Sequence, residues 1–197
     1  EGIVDVCTGR GMLDADSDLA ERVLLDQLLA AMAGYDQVLA WNGDRFDFPF
    51  LERRAEVLGV AAEWRQWLLL DHMELCRRMN VSASKSGAEK QSMALAQWAK
   101  HVLKESKVLD LGTGTHVAWK AWLAGGEERE NLGIYNVDDT GKMVRIERKT
   151  GFVELHQSIC EAAGVLPSSR TIGPMQQVES FVMRLGRARG MRFPSFF

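Results

Sequence analysis

Residues 37–59 read QVLAWNGDRFDFPFLERRAEVLG, and this stretch predicts an α/β fold. Its first five residues are mostly apolar and predict a buried strand. The polar turn NGDRFD follows, and Pro49 suits the first turn of a helix that Gly59 closes. Active sites of open α/β sheets lie where strands end and helices begin. We therefore expect Asn42 and Asp47 to lie at a functional site.

The flanking sequence extends this pattern in both directions. Strands alternate with helices in the first half of the chain, and mostly helices follow, which indicates a mixed α/β domain with a central sheet. The polar segment VSASKSGAEKQ, residues 81–91, predicts a loop. The predicted strands cover residues 2–8, 37–41 and 67–75, and the predicted helices cover 17–34, 49–59, 92–103, 117–124, 129–149, 152–164 and 176–190.

Composition limits the classes of protein that the chain can belong to. With 197 residues, 46% of them apolar, the chain suits one domain with an appendage. The net charge of −3 excludes a uniformly basic nucleic-acid binder, so a polyanionic partner would need a local patch. Cys7, Cys76 and Cys160 are scattered and odd in number, which argues against a disulfide framework. We expect a cytoplasmic protein, at a nucleoid or a viral replication site, with no membrane partner.

Aromatic and basic residues surround Asp47. Phe46 and Phe48 flank the carboxylate, and their rings are of the kind that stack on unpaired bases. Arg53 follows on the predicted helix and is a candidate contact for a DNA phosphate. With Asn42, these residues predict a surface that unpaired bases can contact.

A second group of functional residue types lies in the predicted helix 129–149. Tyr135 and Asp139 are four residues apart and therefore share one helical face. A tyrosine hydroxyl and a carboxylate on one face suit the binding of a metal and the orientation of a water molecule. If Asp47 faces Asp139 across a cleft, their oxygens suit Mg²⁺ or Mn²⁺.

Four stretches resemble the exonuclease domain of family B DNA polymerases. WNGDRFDFPFLERR resembles the second exonuclease motif of that family, and YNVDD resembles the third. EKQSMALAQWAKHVLKESKVLD resembles the helix and loop between these motifs. The tail SSRTIGPMQQVESFVMRLGRARGMRFPS is similar to the stretch that leads towards the polymerase palm. The resemblance runs from about residue 17 to the end.

The resemblance implies a ribonuclease H-like fold and a 3′–5′ exonuclease of the four-carboxylate type. Asp47 and Asp139 would be ligands of Mg²⁺ or Mn²⁺, with two ions in a complete site, and Tyr135 would position the attacking water. The histidine type has His five residues before the last Asp, where this chain has Ile134, so the tyrosine type is implied. The implied partners are single-stranded DNA or a primer 3′ end, the nucleotide monophosphate product, and a polymerase domain in cis or in trans.

The first motif of that family, Asp-x-Glu, has no clear counterpart. The nearest candidate has Cys7 where the motif has Glu, and a thiol is a poor ligand for a hard cation. We therefore expect residues 2–8 to be the third strand of the sheet, with the first strands and the motif upstream of Glu1. We also expect an exonuclease domain at 1–155 and, as a helical C-terminal extension, a connector towards a polymerase palm at 156–197.

Two alternatives remain open. One is an exonuclease-like module that binds nucleic acid without cleaving it. The other is suggested by VLDLGTGTH, residues 108–116, which looks like the loop of an S-adenosylmethionine-dependent methyltransferase with Gly112 and Gly114 against the cofactor. That reading requires a series of further strands, whereas mostly helices follow, and His116 stands where the third glycine of the loop belongs.

Overall fold

The computed structural model describes residues 17–79, 92–105, 115–168 and 173–193, and these residues form a mixed α/β fold. A short 3₁₀ turn at Trp64–Gln66 leads into the second strand. In chain order the helices and strands are α1 Ser17–Met32, β1 Gln37–Ala40, α2 Asp47–Leu58, β2 Leu68–Asp71, α3 His72–Met79, α4 Leu95–Val102, α5 Thr115–Ala124, α6 Gly126–Thr150, α7 Phe152–Ala163 and α8 Pro174–Ala188.

The predicted mixed α/β class is confirmed, with one wrong assignment inside it. Residues 67–75 were expected to form one strand, but β2 ends at Asp71 and α3 begins at the next residue. In α3 the apolar Leu75 and Cys76 are buried, while Glu74 accepts hydrogen bonds from arginines three and four residues later. These contacts stabilise a helix after Asp71, although the apolar run WLLL had suggested that the strand continues. The predicted strand 2–8 and loop 81–91 lie outside the described residues.

The two described strands are parallel neighbours. Gln37 lies opposite Leu68, and Ala40 lies opposite Asp71. Both strands therefore end at the same edge of the sheet, and the polar turn after β1 comes close to the start of α3. Leu70 of β2, Leu75 of α3 and Val153 of α7 form a buried cluster, and Leu39 of β1 packs against it. This core fixes the edge at which the candidate site is built.

The chain divides into two compact units. The sheet unit comprises residues 35–54, 62–86 and 151–197, and thus contains both described strands, α3, α7 and α8. The α6 unit comprises residues 1–34, 55–61 and 87–150, and contains α1, α4, α5 and α6. Helix α2 contributes its first two turns to the sheet unit and its end to the α6 unit.

Side-chain hydrogen bonds to backbone groups lock the helices within each unit. In the α6 unit, Lys149 of α6 donates to the carbonyl of Val102 at 2.6 Å. In the sheet unit, Ser180 of α8 donates to the carbonyl of Ala163 at the end of α7, at 2.9 Å.

Helix α7 spans residue 155, where we placed the boundary of the exonuclease domain, and Val153 belongs to the sheet core. The separate connector at 156–197 stays a prediction.

None of the helices among the described residues is both long and apolar enough to cross a membrane.

Candidate active site

The centre of the site in the sheet unit is the carboxylate of Asp71, at the end of β2. This side chain is only 2% exposed and accepts three backbone hydrogen bonds. Two come from the turn after β1, from the amides of Asn42 at 3.0 Å and Asp44 at 3.3 Å. The third comes from the amide of Glu74 in the first turn of α3, at 3.2 Å. Asp71 thus fastens the turn before α2 to the neighbouring strand.

The turn residues fit this conformation. Asn42 has a φ of 65°, and asparagine tolerates the left-handed region better than most side chains. At Gly43, a Cβ atom would lie 2.6 Å from the Cβ of Ala40 and 2.8 Å from the ring of Phe48. Any larger residue would therefore force the turn away from the sheet. The sequence Asn-Gly sets the path by which the chain reaches Asp47.

Asp47 is the first residue of α2, and its carboxylate is half-buried beside Asp71. Partial burial raises the pKa of Asp47, the negative charge of Asp71 raises it further, and a hydrogen bond to its own backbone amide opposes both effects. A nearby positive charge would stabilise the ionised form of a carboxylate in such surroundings. Since carboxylate oxygens are the ligands that Mg²⁺ and Mn²⁺ prefer, Asp47 fits the predicted role of metal ligand.

An exposed aromatic surface lies beside Asp47. The rings of Phe46 and Phe50 stack nearly parallel, with an interplanar angle of 10° and centroids 6.3 Å apart. Phe46 is 64% exposed and Phe50 is 55% exposed. Arg53 is exposed on the next turn of α2. Unpaired bases stack on open aromatic faces of this kind.

Phe48 requires a correction. We expected its ring to contact DNA together with that of Phe46, but Phe48 is only 2% exposed and lies against Gly43. The side chain packs the turn onto the sheet, so it offers no open face to a base. Phe50, one helical turn after Phe46, presents the exposed ring instead.

In the α6 unit, Tyr135 and Asp139 lie on the same helix, as predicted, and both are half-buried. Asp139 accepts a hydrogen bond from Nζ of Lys142 at 3.1 Å. The same ammonium lies 2.6 Å from the carboxylate of Asp138. Lys142 is only 1% exposed. A buried cation therefore holds the predicted metal ligand and its neighbour together.

The ion pairs continue along α6. Nη2 of Arg145 lies 3.4 Å from Asp138 and 2.8 Å from Glu105, which follows α4. Glu105 and Asp138 are the contacts that raise the pKa of Arg145, whereas slight desolvation lowers it. For Lys142, burial lowers the pKa, but the hydrogen bonds and charges of Asp138 and Asp139 together outweigh burial and raise it. Both cations are thus firmly charged at neutral pH.

Each predicted ligand has its surroundings defined within its own unit. Asp47 lies with Asp71 in the sheet unit, and Asp139 lies with Tyr135 in the α6 unit. Within the parts of the chain that the structure describes, no group of three or more His, Cys, Asp or Glu side chains is arranged to hold a metal ion. That Asp47 and Asp139 serve one cation site stays a prediction.

Comparison with known proteins assigns the family. A family model described as the RNase H superfamily matches residues 10–150. The chain belongs to the RNase H superfamily. The match includes Asp47, Tyr135 and Asp139, and it also includes residues 108–116. The VLDLGTGTH stretch is therefore part of an RNase H-like domain, and the methyltransferase interpretation loses its support. Residues 108–114 of this stretch lie outside the described residues, and its last two residues begin α5.

Two DNA polymerases share short stretches with this RNase H-like chain. DNA polymerase 1 of Aeropyrum pernix is 44% identical over 45 residues, which is 23% of the chain and 5% of the polymerase. A DNA polymerase of Methanocaldococcus jannaschii is 38% identical over 40 residues, which is 20% of the chain and 2% of the polymerase. The chain thus matches only a small part of each polymerase. These similarities agree with the resemblance to a family B exonuclease domain.

Sequence reasoning missed three residues of this RNase H-like site. Asp71 was not among the predicted site residues, because its position opposite the end of β1 follows from the strand register that the structure shows. Lys142 is three and four residues after the two aspartates, a spacing at which side chains meet on a helix. Phe50 is four residues after Phe46, so the same rule would have paired the two rings.

Proposed function

We propose that this chain is the 3′–5′ exonuclease domain of a family B-like DNA polymerase, which removes nucleotides from the 3′ end of DNA in proofreading. The observation that carries the proposal is the environment of Asp47. The carboxylate stands at the sheet edge, half-buried beside Asp71 and next to an open pair of aromatic rings. In a chain of the RNase H superfamily, this combination supports a metal ligand beside a surface for unpaired bases.

Asp47 and Asp139 would hold Mg²⁺ or Mn²⁺ in this proposal, with two ions in a complete site. The bound cations would supply an activated water and stabilise the charge that develops on the phosphate. Asp71 keeps the turn before Asp47 in place through three backbone hydrogen bonds. Tyr135, on the same helix as Asp139, would orient the attacking water through its hydroxyl.

The 3′-terminal nucleotides would lie on the aromatic surface. Phe46 and Phe50 would stack on unpaired bases, while Arg53 and Asn42 would contact the DNA backbone. Stacking does not depend on base identity, so the expected substrate is single-stranded DNA or a frayed primer end of any sequence. The expected product is a nucleotide monophosphate.

The proposed partner is a polymerase domain, in the same chain or in a second one. This part of the proposal is supported by the two archaeal DNA polymerases that share short stretches with the chain.

The ion pair of Asp139 supports a second candidate function. Lys142 already supplies a positive charge at 3.1 Å, as a substitute for a metal would in an inactive domain. The chain would then bind single-stranded DNA without cleaving it.

One assay separates the two candidates. The full-length protein is incubated with a single strand labelled at its 5′ end, with Mn²⁺, and the shortened products are resolved. The exonuclease predicts a ladder of progressively shorter strands, and both Asp47→Asn and Asp139→Asn lower the rate by about 10³-fold.

The inactive module predicts an intact strand under the same conditions. Binding measured by fluorescence anisotropy without any shortening would replace the exonuclease proposal with that module. Asp36→Asn serves as the matched control, since Asp36 is an exposed aspartate of the sheet unit, and it should leave the rate unchanged.

A further inference from the structure

Lys142 is buried although it carries a full positive charge. It is 1% exposed, and the removal of an ammonium from water is unfavourable unless opposite charges compensate for it. Asp138 and Asp139 provide that compensation, and both lie within 3.1 Å of Nζ. Because the rest of the side chain is enclosed, Nζ has a fixed position against the two carboxylates.

The two contacts of Lys142 are unequal. Nζ lies 2.6 Å from Asp138 and 3.1 Å from Asp139, and Coulomb attraction falls with distance, so Asp138 takes the larger share of the positive charge. Asp138 also receives Nη2 of Arg145 at 3.4 Å. The negative charge of Asp139 is therefore only partly neutralised.

Charges alternate in sign along this network. Each charged residue contacts the next one in the order Glu105, Arg145, Asp138, Lys142, Asp139. Three carboxylates meet two cations, so one negative charge remains. Asp139 stands at an end of the series and makes the longer Lys142 contact, and it is thus well placed to attract a further cation.

We infer that Lys142 is a positioning residue: it holds the Asp139 carboxylate ready for a divalent cation, while Asp138 prevents the ammonium from taking the place of that cation. The inference rests on the proposed function, because it assigns a purpose to the surroundings of a proposed metal ligand. It also explains how an aspartate that is already paired with lysine can remain a ligand.

Two substitutions are expected to affect Mn²⁺ binding differently. Asp138→Asn removes the competitor for the ammonium, so Lys142 pairs fully with Asp139, and the affinity for Mn²⁺ falls by about tenfold. Lys142→Met removes the ammonium, so the affinity for Mn²⁺ is kept or rises about threefold, while kcat falls about tenfold because the carboxylate loses its fixed orientation. A merely structural role would move both affinities the same way.

The measurement is a titration of the full-length protein with Mn²⁺, followed through the electron paramagnetic resonance of the free ion and combined with exonuclease rates. Lys149→Met is the matched control, because Lys149 lies on the same helix and donates to a backbone carbonyl, and it should leave the affinity unchanged. If Lys142→Met does not fold, as judged by circular dichroism, Asp138→Asn decides alone.

The outcomes separate this inference from the proposed function. If Asp139→Asn does not weaken Mn²⁺ binding, the proposed function fails. If Asp139→Asn abolishes the binding while Asp138→Asn leaves the affinity unchanged, only the inference about Lys142 fails. An equal loss of affinity in Asp138→Asn and Lys142→Met would also overturn the inference.

Discussion

The two predicted metal ligands lie in opposite electrostatic surroundings. Asp47, in the sheet unit, stands beside another carboxylate, and its pKa is raised by burial and by the charge of Asp71. Asp139, in the α6 unit, stands beside the buried ammonium of Lys142. The surroundings of Asp47 thus disfavour its negative charge, whereas the ammonium beside Asp139 stabilises the negative charge of Asp139.

The difference shows how a fold can hold two carboxylates by different means. Asp47 is positioned through the backbone, because Asp71 accepts hydrogen bonds from amides of the preceding turn. At Asp139 a side-chain ion pair does the holding. Substitutions should therefore affect the stability and the activity of the protein differently at the two places.

The largest expected effect is that of Asp71→Ala. Three amides would lose their acceptor at a buried position, and the fold should lose about 3–5 kcal/mol in its free energy of unfolding. The proposed exonuclease activity should be lost as well, since the turn that leads to Asp47 is released. Urea unfolding followed by circular dichroism measures the loss of stability.

Asp36→Ala is the control for that substitution, because Asp36 is exposed in the same unit. It should change the free energy of unfolding by less than about 0.5 kcal/mol. Equal stability of the two variants would mean that Asp71 does not hold the turn.

An intermediate effect is expected for Phe50→Ala. Loss of one exposed ring from the stacked pair should weaken binding of a single strand by about 5- to 150-fold, since stacking of a base contributes about 1–3 kcal/mol. The stability should hardly change, because the ring is 55% exposed. Fluorescence anisotropy with a labelled oligonucleotide gives the Kd. Phe181→Ala, at another exposed phenylalanine of the sheet unit, should bind the strand as the unchanged protein does.

The smallest effect compares the two aspartates directly. Because the pKa of Asp47 is raised in the fold, its ionised form destabilises the native state once the pH exceeds the unfolded pKa, and the penalty is complete above the folded pKa. Asp47→Asn should thus raise Tm by about 1–3 °C at pH 7 without metal, and the gain should disappear below about pH 4.

Asp139→Asn should lower Tm at pH 7 by about the same amount, because Lys142 loses one of its two counter-charges. Differential scanning calorimetry of both variants checks the contrast. A fall in Tm for both would remove the electrostatic distinction between the two aspartates.

Local patterns were enough to predict the elements that carry the site. The sequence was enough to predict three features, since each depends on residues close in sequence. These are the strand at 37–41, the helix after the polar turn, and the shared helical face of Tyr135 and Asp139. The role of Asp71 was harder to predict, because Asp71 lies on the neighbouring strand and binds the amide of Asn42, which is 29 residues away in the sequence. Burial of Phe48 and of Lys142 likewise depends on tertiary packing, which periodicity does not reveal.

The most direct test of the central claim is the identity of the product released from a single DNA strand by the full-length protein with Mn²⁺. We predict that nucleoside monophosphates are released one at a time from the 3′ end, and that this release is lost in Asp47→Asn and in Asp139→Asn. Release from the 5′ end, internal cleavage, or release that survives both substitutions would contradict it.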